Sequence, residues 1–199
     1  MSTPKWSDFY TKVGSGPRPT LVAGLEYYDR DPAEKLAIDV GCGTGRDTIA
    51  LLEAGFAVFA FDREREAIDR TLAATAPELR SQLATAAVDF ASVEIPPCDY
   101  VNASLSLFFA APADFARLWP QLSDRLAADG IFSGHFLGPN DEWLRSGATL
   151  TAHGKAELLQ LFEDFEMIEL QERDEVGPQA SGPDKHWHLY SVVARKRGP

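Results

Sequence analysis

Short apolar runs that end on a polar or acidic residue alternate along this chain with stretches whose apolar positions recur at helical spacing. Leu36 to Val40 predicts a first buried strand, and Arg46 to Ala54, with Ile49, Ala50, Leu51, Leu52 and Ala54 apolar, predicts a helix packed on a sheet. A second strand, Ala57 to Phe61, ends at Asp62 and is followed by a helix from about Glu64 to Ala74. Leu83 to Val88 makes a third strand ending at Asp89, and Tyr100 to Ala103 a fourth after the Pro96-Pro97 break. A helix from Pro112 to about Ala127 has proline near its start, where the missing N–H is harmless. Asp129-Gly130 then turns the chain into a fifth strand, Ile131 to Phe136. Strands alternating with helices predict a doubly wound α/β protein, its mostly parallel sheet covered on both faces.

The last third is less regular. Gly138 to Gly154 reads as a surface excursion, with Trp143 and Arg145 as candidates for a lid, and a helix from Lys155 to Phe162 follows. Strands from about Glu166 to Gln171 and from His188 to Arg195 flank the loop Gly177-Pro178-Gln179-Ala180-Ser181-Gly182-Pro183. Two late strands joined without a helix predict an antiparallel hairpin at one edge of the sheet. The expected organisation is one domain over 1–199: a lid or helical segment over 1–30, a cofactor-binding half over 31–136 and a substrate-side half over 137–199.

Between the first strand and helix stands Asp39-Val40-Gly41-Cys42-Gly43-Thr44-Gly45-Arg46. Glycines at 41, 43 and 45 permit positive φ and close approach of a ligand to the backbone, while the next helix offers unsatisfied N–H groups. This predicts a nucleotide-like ligand. A dinucleotide fingerprint, G-x-G-x-x-G, needs a third glycine that would fall on Arg46 or Thr48, depending on the frame. It fails in both, and no triphosphate-binding G-x-x-x-x-G-K-[ST] occurs.

Charge and cysteine usage narrow the partners. A net charge of −11 without a basic stripe argues against nucleic acid. No apolar run approaches a membrane span, and there is no basic-then-apolar leader, which predicts a cytoplasmic protein without a membrane partner. Cys42 and Cys98 fit a reducing compartment. The His and Cys residues lack ligand spacing, so no metal is expected.

The D-x-G-x-G-x-G run resembles the first motif of the class I S-adenosylmethionine-dependent methyltransferases, whose fold is Rossmann-like with seven strands, the last antiparallel. Trp6 to Tyr10, Pro17-Arg18-Pro19, Asp39 to Asp47 and Ser191 to Lys196 further resemble small bacterial methyltransferases of the tellurite-resistance type. The resemblance implies S-adenosyl-L-methionine as cofactor and S-adenosyl-L-homocysteine as product. It places Asp39, Gly41, Cys42, Gly43, Thr44 and Gly45 around the methionine end. Asp62 closes the second strand, where a carboxylate can accept from both ribose hydroxyls; a helix cap is the ordinary alternative. Arg63 is a candidate for covering the adenine, Asp89 for its amino group, and the main chain at Phe90 for a ring nitrogen. Asn102-Ala103-Ser104-Leu105 departs from the Asn/Asp-Pro-Pro-aromatic signature of amino-methylating members, so Asn102 and Ser104 are read as cofactor-site lining. Arg18 can pair with the cofactor carboxylate if its segment folds over the site, or lie solvated on the surface, and Tyr10 shares that ambiguity.

On the substrate side, His186 and His188 alternate about Trp187 and can share one strand face as candidate general bases, or be ordinary edge-strand residues. The expected activity is methyl transfer to a small-molecule acceptor, such as a thiol or chalcogen oxyanion, by a monomer or homodimer. The alternatives are a non-catalytic S-adenosylmethionine-binding module or sensor and a nicotinamide-dependent oxidoreductase.

Overall fold

The computed structural model describes residues 16–145, 147–179 and 183–198, so Tyr10 and the rest of 1–15 lie outside the described residues. A helix α1 (Pro19–Glu26) precedes a sequence of strands and helices: β1 (Leu36–Val40), α2 (Arg46–Glu53), β2 (Ala57–Asp62), α3 (Arg65–Ala74), β3 (Leu83–Ala87) and β4 (Cys98–Ala103). The remainder is α4 (Pro112–Arg125), β5 (Leu126–Leu137), α5 (Glu142–Arg145), α6 (Lys155–Leu161), β6 (Phe165–Gly177) and β7 (Lys185–Lys196). Short 3₁₀ turns occupy Pro77–Gln82 and Leu107–Phe109.

All seven strands form one sheet in the order β3-β2-β1-β4-β5-β7-β6. The first five run parallel, whereas β7 pairs antiparallel with both β5 and β6, which puts the expected hairpin at the sheet edge. Strand order reverses between β1 and β4. At such a switch point the loops leave in opposite directions and open a crevice at the carboxyl ends of the strands. The glycine run follows β1 at that point.

Two apolar layers hold the sheet. On one face, Phe115, Leu118, Trp119 and Leu122 of α4 meet Phe132, Phe136, Phe162, Phe165 and Tyr190. On the other, Leu21 of α1, Leu51 and Leu52 of α2 and Ile68 of α3 cover Val58, Tyr100, Ile131 and Val193. Helix α1 lies close to the sheet at Gly24, where a Cβ would collide with the Tyr100 hydroxyl.

The element boundaries differ most from the sequence reading around β5. Helix α4 ends at Arg125 rather than near Ala127, and Leu126 is already extended, at φ −73° and ψ 122°. Pairing with β4 then jumps from Cys98↔Leu126 to Tyr100↔Ile131, looping out residues 127–130, with Asp129 at a φ of 63°. Asp129-Gly130 is thus an irregularity inside a strand and not a turn before one. The late strands are also longer than expected, because Glu172, Asp174 and Glu175 keep pairing with β7 although their side chains are charged. No helix among the described residues is long and apolar enough to cross a membrane.

Trp119 packs against Phe115, Phe132, Phe136 and Phe162 with ring centroids 5.0–6.0 Å apart. Truncating such a residue removes its transfer free energy and leaves a cavity. Trp119→Ala is expected to cost about 3–5 kcal/mol in a urea unfolding experiment, and a loss under about 1 kcal/mol would contradict its central place in this layer.

Candidate functional site

The glycine loop takes its shape from left-handed backbone. Gly41, Gly43 and Gly45 have φ of 68°, 56° and 82°. A Cβ built at Gly41 would lie 2.6 Å from Cβ of Ser106, and one at Gly45 would lie 2.7 Å from Cγ2 of Thr71. Side chains at these positions would therefore meet both strain and collision. The Cys42 N–H donates to the Phe61 carbonyl at 3.0 Å, and the Thr71 hydroxyl donates to the Gly43 carbonyl at 3.1 Å, pinning the loop to β2 and α3. Cys42 itself is buried, and burial holds its thiol well above the ordinary range, so it serves as a small loop residue.

Asp62 stands beside the loop at the end of β2. One carboxylate oxygen accepts the Gly43 N–H at 3.0 Å and the other the Glu64 N–H at 2.9 Å. Burial raises its pKa, and these two main-chain bonds oppose the rise. Each oxygen retains acceptor capacity after one such bond, so the group is oriented without being saturated. The ribose role and the capping role assigned to this residue from sequence are compatible in this geometry.

Beneath the loop lies a buried polar network centred on Asn102, which is fully buried. Its Nδ2 donates to Asp39 Oδ1 at 2.8 Å and to Asp47 Oδ2 at 3.3 Å. Its Oδ1 accepts the hydroxyls of Ser104 at 3.0 Å and Ser133 at 3.1 Å, and Ser133 in turn accepts the Tyr100 hydroxyl at 3.0 Å. Thr48 donates to Asp39 Oδ2 at 2.6 Å. Asp39 and Asn102, expected from sequence to line the cofactor site, are thus engaged inside the protein: both support the loop from below. Ser104 and Thr44 are half-buried at the rim, whereas Gly45 is buried.

Asp89 is exposed just past β3, and its main-chain carbonyl accepts the N–H groups of Ser92 and Val93. Phe90 is half-buried edge-on to Phe61 at 6.2 Å, and its ring tip lies 3.8 Å from the position of a Cβ on Gly41. Arg63 donates to Glu64 at 3.1 Å on the exposed side of the same rim. Arg18 is brought to the loop from the other side: its main-chain N–H donates to Asp47 Oδ1 at 2.8 Å. The loop, Asp62, Phe90 and Arg18 therefore share one end of the sheet.

His186 and His188 stand at the start of β7, beside the carboxyl end of β5 and so at the same end of the sheet as the loop, three strands across from β1. His186 Nε2 meets Asp174 at 2.6 Å. Nδ1 of His188 accepts the Asn140 N–H at 3.1 Å, which leaves Nε2 as the donor toward Glu172 at 3.1 Å. Their partners are strand and loop residues of the antiparallel edge. Neighbouring Lys185 pairs with buried Asp141, and its Nζ lies 3.9 Å from the ring centroids of both Trp143 and Trp187. This clamp pins the excursion after β5 to the sheet, so Trp143 is packed rather than projecting as a lid.

Sequence reasoning missed Asp47, Thr48, Thr71 and Ser133 as supports of the site. Asp47 carried a signal, an acidic residue in the first turn of a helix, which would ordinarily mean only a favourable interaction with the helix dipole. His135 is buried on β5; its Nε2 lies 3.0 Å from the Thr20 hydroxyl and its Nδ1 has no partner. Burial, with the nearby charge of Arg18, lowers its pKa to about 3, so it is neutral near pH 7.

A doubly wound sheet with an antiparallel last strand, carrying a three-glycine loop and an oriented acid at the next strand end, defines the methyltransferase-type Rossmann-like fold. In agreement, residues 37–130, just under half of the chain, match the family model described as a methyltransferase domain. The resemblance read from the sequence is borne out over that region. A curated relative, magnesium-protoporphyrin O-methyltransferase of Rhodobacter capsulatus, is 32% identical over 96 residues, which span 48% of this chain and 43% of that protein. The match thus spans less than half the length of that relative. Among solved structures, TehB from Haemophilus influenzae superposes with a TM-score of 0.70 at 16% identity, covering 90% of this chain and 62% of that one. The 1,6-didemethyltoxoflavin-N1-methyltransferase of Burkholderia thailandensis, with S-adenosylhomocysteine bound, gives 0.67 at 19% identity over 91% and 78%. Magnesium protoporphyrin IX methyltransferase from Synechocystis gives 0.68 at 14% identity over 98% and 92%. At these identities the structural likeness speaks for the fold.

The network makes one stability prediction. Burial, then the adjacent Asp47 charge, pushes Asp39 up to about 7 against its bonds from Thr48 and Asn102. In the unfolded chain this carboxyl ionises near pH 4 (about 3.9). Between those values the folded state holds the extra proton, so Asp39 makes stability fall as pH rises through that window. Urea unfolding from about pH 4 to 8 is expected to show a flatter pH dependence for Asp39→Asn than for the parent. Identical slopes would refute the shared-proton account.

Proposed function

We propose that this chain is an S-adenosylmethionine-dependent methyltransferase acting on a small-molecule acceptor, in a cytoplasmic setting consistent with its two buried free cysteines. The observation that carries the reading is the pairing of Asp62 with the glycine loop: the Gly43 N–H fixes the carboxylate at the loop's edge while leaving acceptor capacity for a diol. The match over 37–130 supports it independently. S-adenosylmethionine, when bound, supplies a methyl group on a sulfonium sulfur, an electrophile whose leaving group is already good.

The chain's own contribution is to bind, orient and exclude water. Gly41, Gly43 and Gly45 admit the methionine end to the backbone, Asp62 takes the ribose hydroxyls, and the rim of Phe90, with Arg63 and Asp89, takes the adenine. Arg18 offers a guanidinium to the carboxylate. Binding that aligns the acceptor atom with the methyl carbon and sulfur supplies most of the acceleration such a displacement needs. Among the described residues, burial leaves the imidazole of His135 weakly basic, and those of His186 and His188 are engaged by Asp174 and by Asn140 and Glu172. This favours an acceptor that arrives ionised, such as a thiolate, a chalcogen oxyanion or a carboxylate. His186 and His188 become relevant as bases only if the acceptor is a protonated nitrogen or alcohol.

Calorimetry tests the donor assignment. S-adenosylhomocysteine is expected to bind and NADH not to; tighter NADH binding would sink the reading in favour of an oxidoreductase. Asp62→Ala should weaken S-adenosylhomocysteine by roughly 10- to 100-fold, about 1.4–3 kcal/mol for lost hydrogen bonds to a charged group. Gly43→Val should abolish binding while the protein still unfolds cooperatively. Turnover against a panel of thiols, chalcogen oxyanions and carboxylates then separates an enzyme from a binding module, since only the enzyme yields S-adenosylhomocysteine.

A further inference from the structure

Residues 16–18 are tied to the first turn of α2 at two points. Arg46 Nε donates to the Gly16 carbonyl at 2.5 Å, and Asp47 Oδ1 accepts the Arg18 N–H at 2.8 Å. The Arg18 carbonyl in turn accepts the Val22 N–H at 3.0 Å, opening α1. The main chain of Arg18 is therefore held on both sides, by α2 before it and by α1 after it. Its guanidinium is the part left over. It is half-buried, makes no hydrogen bond or ion pair among the described residues, and lies in the fields of Arg46, Asp47 and His135.

A half-buried cation without a partner costs free energy unless something anionic completes it. Nearby Asp47 makes no ion pair with it: its carboxylate is turned to the Arg18 N–H and to the Asn102 amide. What Asp47 does is set where Arg18 sits relative to the loop.

We propose that Asp47 is a positioning residue: by clasping the Arg18 main chain to the first turn of α2 beside the glycine loop, it presents the Arg18 guanidinium to the carboxylate of the methyl donor. The inference rests on the methyltransferase reading above. Its consequence is selective. Loss of the clasp weakens ligands that carry the amino-acid end by much more than those that lack it, whereas an Asp47 acting only through Asn102 and the loop would weaken both alike.

Two ligands separate these outcomes. S-adenosylhomocysteine carries the carboxylate, and 5′-methylthioadenosine has the same nucleoside and thioether without the amino acid. By calorimetry, Asp47→Ala is expected to weaken S-adenosylhomocysteine by about tenfold more than it weakens 5′-methylthioadenosine. Arg18→Ala should give the same selective loss, and the double variant should lose little beyond either single change, the signature of two residues acting as one unit. Should Asp47→Ala fail to unfold cooperatively, Asp47→Asn serves: its one oxygen must satisfy both the Arg18 N–H and the Asn102 amide, so a smaller, still selective loss is expected. Equal weakening of both ligands, additive losses, or unchanged binding of S-adenosylhomocysteine would overturn the proposal. A parent protein that binds neither ligand would overturn the donor assignment itself, a result distinct from any of these.

Discussion

The Asn102 side chain is the one group on which the site depends. Its amide has two donors and two acceptor lone pairs, and all four are used: Asp39 and Asp47 on one side, Ser104 and Ser133 on the other. Through those bonds a single residue ties β1, β4, β5 and α2 together under the glycine loop. A buried network of this kind is stabilising only when every member is satisfied. Removing the amide would leave two carboxylates buried and facing each other, which costs more than the bonds it makes. Asp39 relieves part of that repulsion by holding a proton up to about pH 7.

The arrangement explains why the acids of this site play different parts. Asp39 and Asp47 are both nearly fully buried and spend their oxygens on internal donors, so they shape the loop and its flank. Asp62 differs because main-chain N–H groups orient it from behind and leave lone pairs forward. Burial depth and the direction from which hydrogen bonds arrive separate a supporting carboxylate from a ligand-facing one. Residue type alone does not.

That distinction sets the limit of what the chain's linear pattern revealed. The parallel strands were legible because each is a short apolar run between glycine or proline breaks, and the loop because three glycines in alternation have few other uses. Asp62 was legible from its place at a strand end. The contacts of Asp39 and Asn102 were not, since which strand neighbours which is decided by the sheet order, and spacing within one strand carries no trace of the next. Ser133 reads as an ordinary small polar residue until β5 is set beside β4. The early start of β5 was hidden for a related reason: Asp129-Gly130 is a strong turn signal, and only pairing of Leu126 with Cys98 shows the chain already extended before it. His186 and His188 left two readings open, because alternation about Trp187 suits a shared face at the site and is equally the mark of a strand pairing with charged neighbours.

The antiparallel edge follows a different logic from the parallel half. There the buried Lys185–Asp141 pair, closed over by Trp143 and Trp187, fixes the excursion after β5, and Phe108 and Phe109 after β4 pack onto Trp143 at 6.2 and 5.9 Å. Burial lowers the pKa of this lysine, and its carboxylate partner opposes that while the two indoles add cation–π contact, so the clamp holds without exposing either partner. It closes this corner with apolar rings over an internally paired charge. Among the described residues His135 and His153 each carry a buried Nδ1 with nothing to bond, and burial lowers the pKa of both, so each imidazole is kept as a neutral polar group inside an apolar layer.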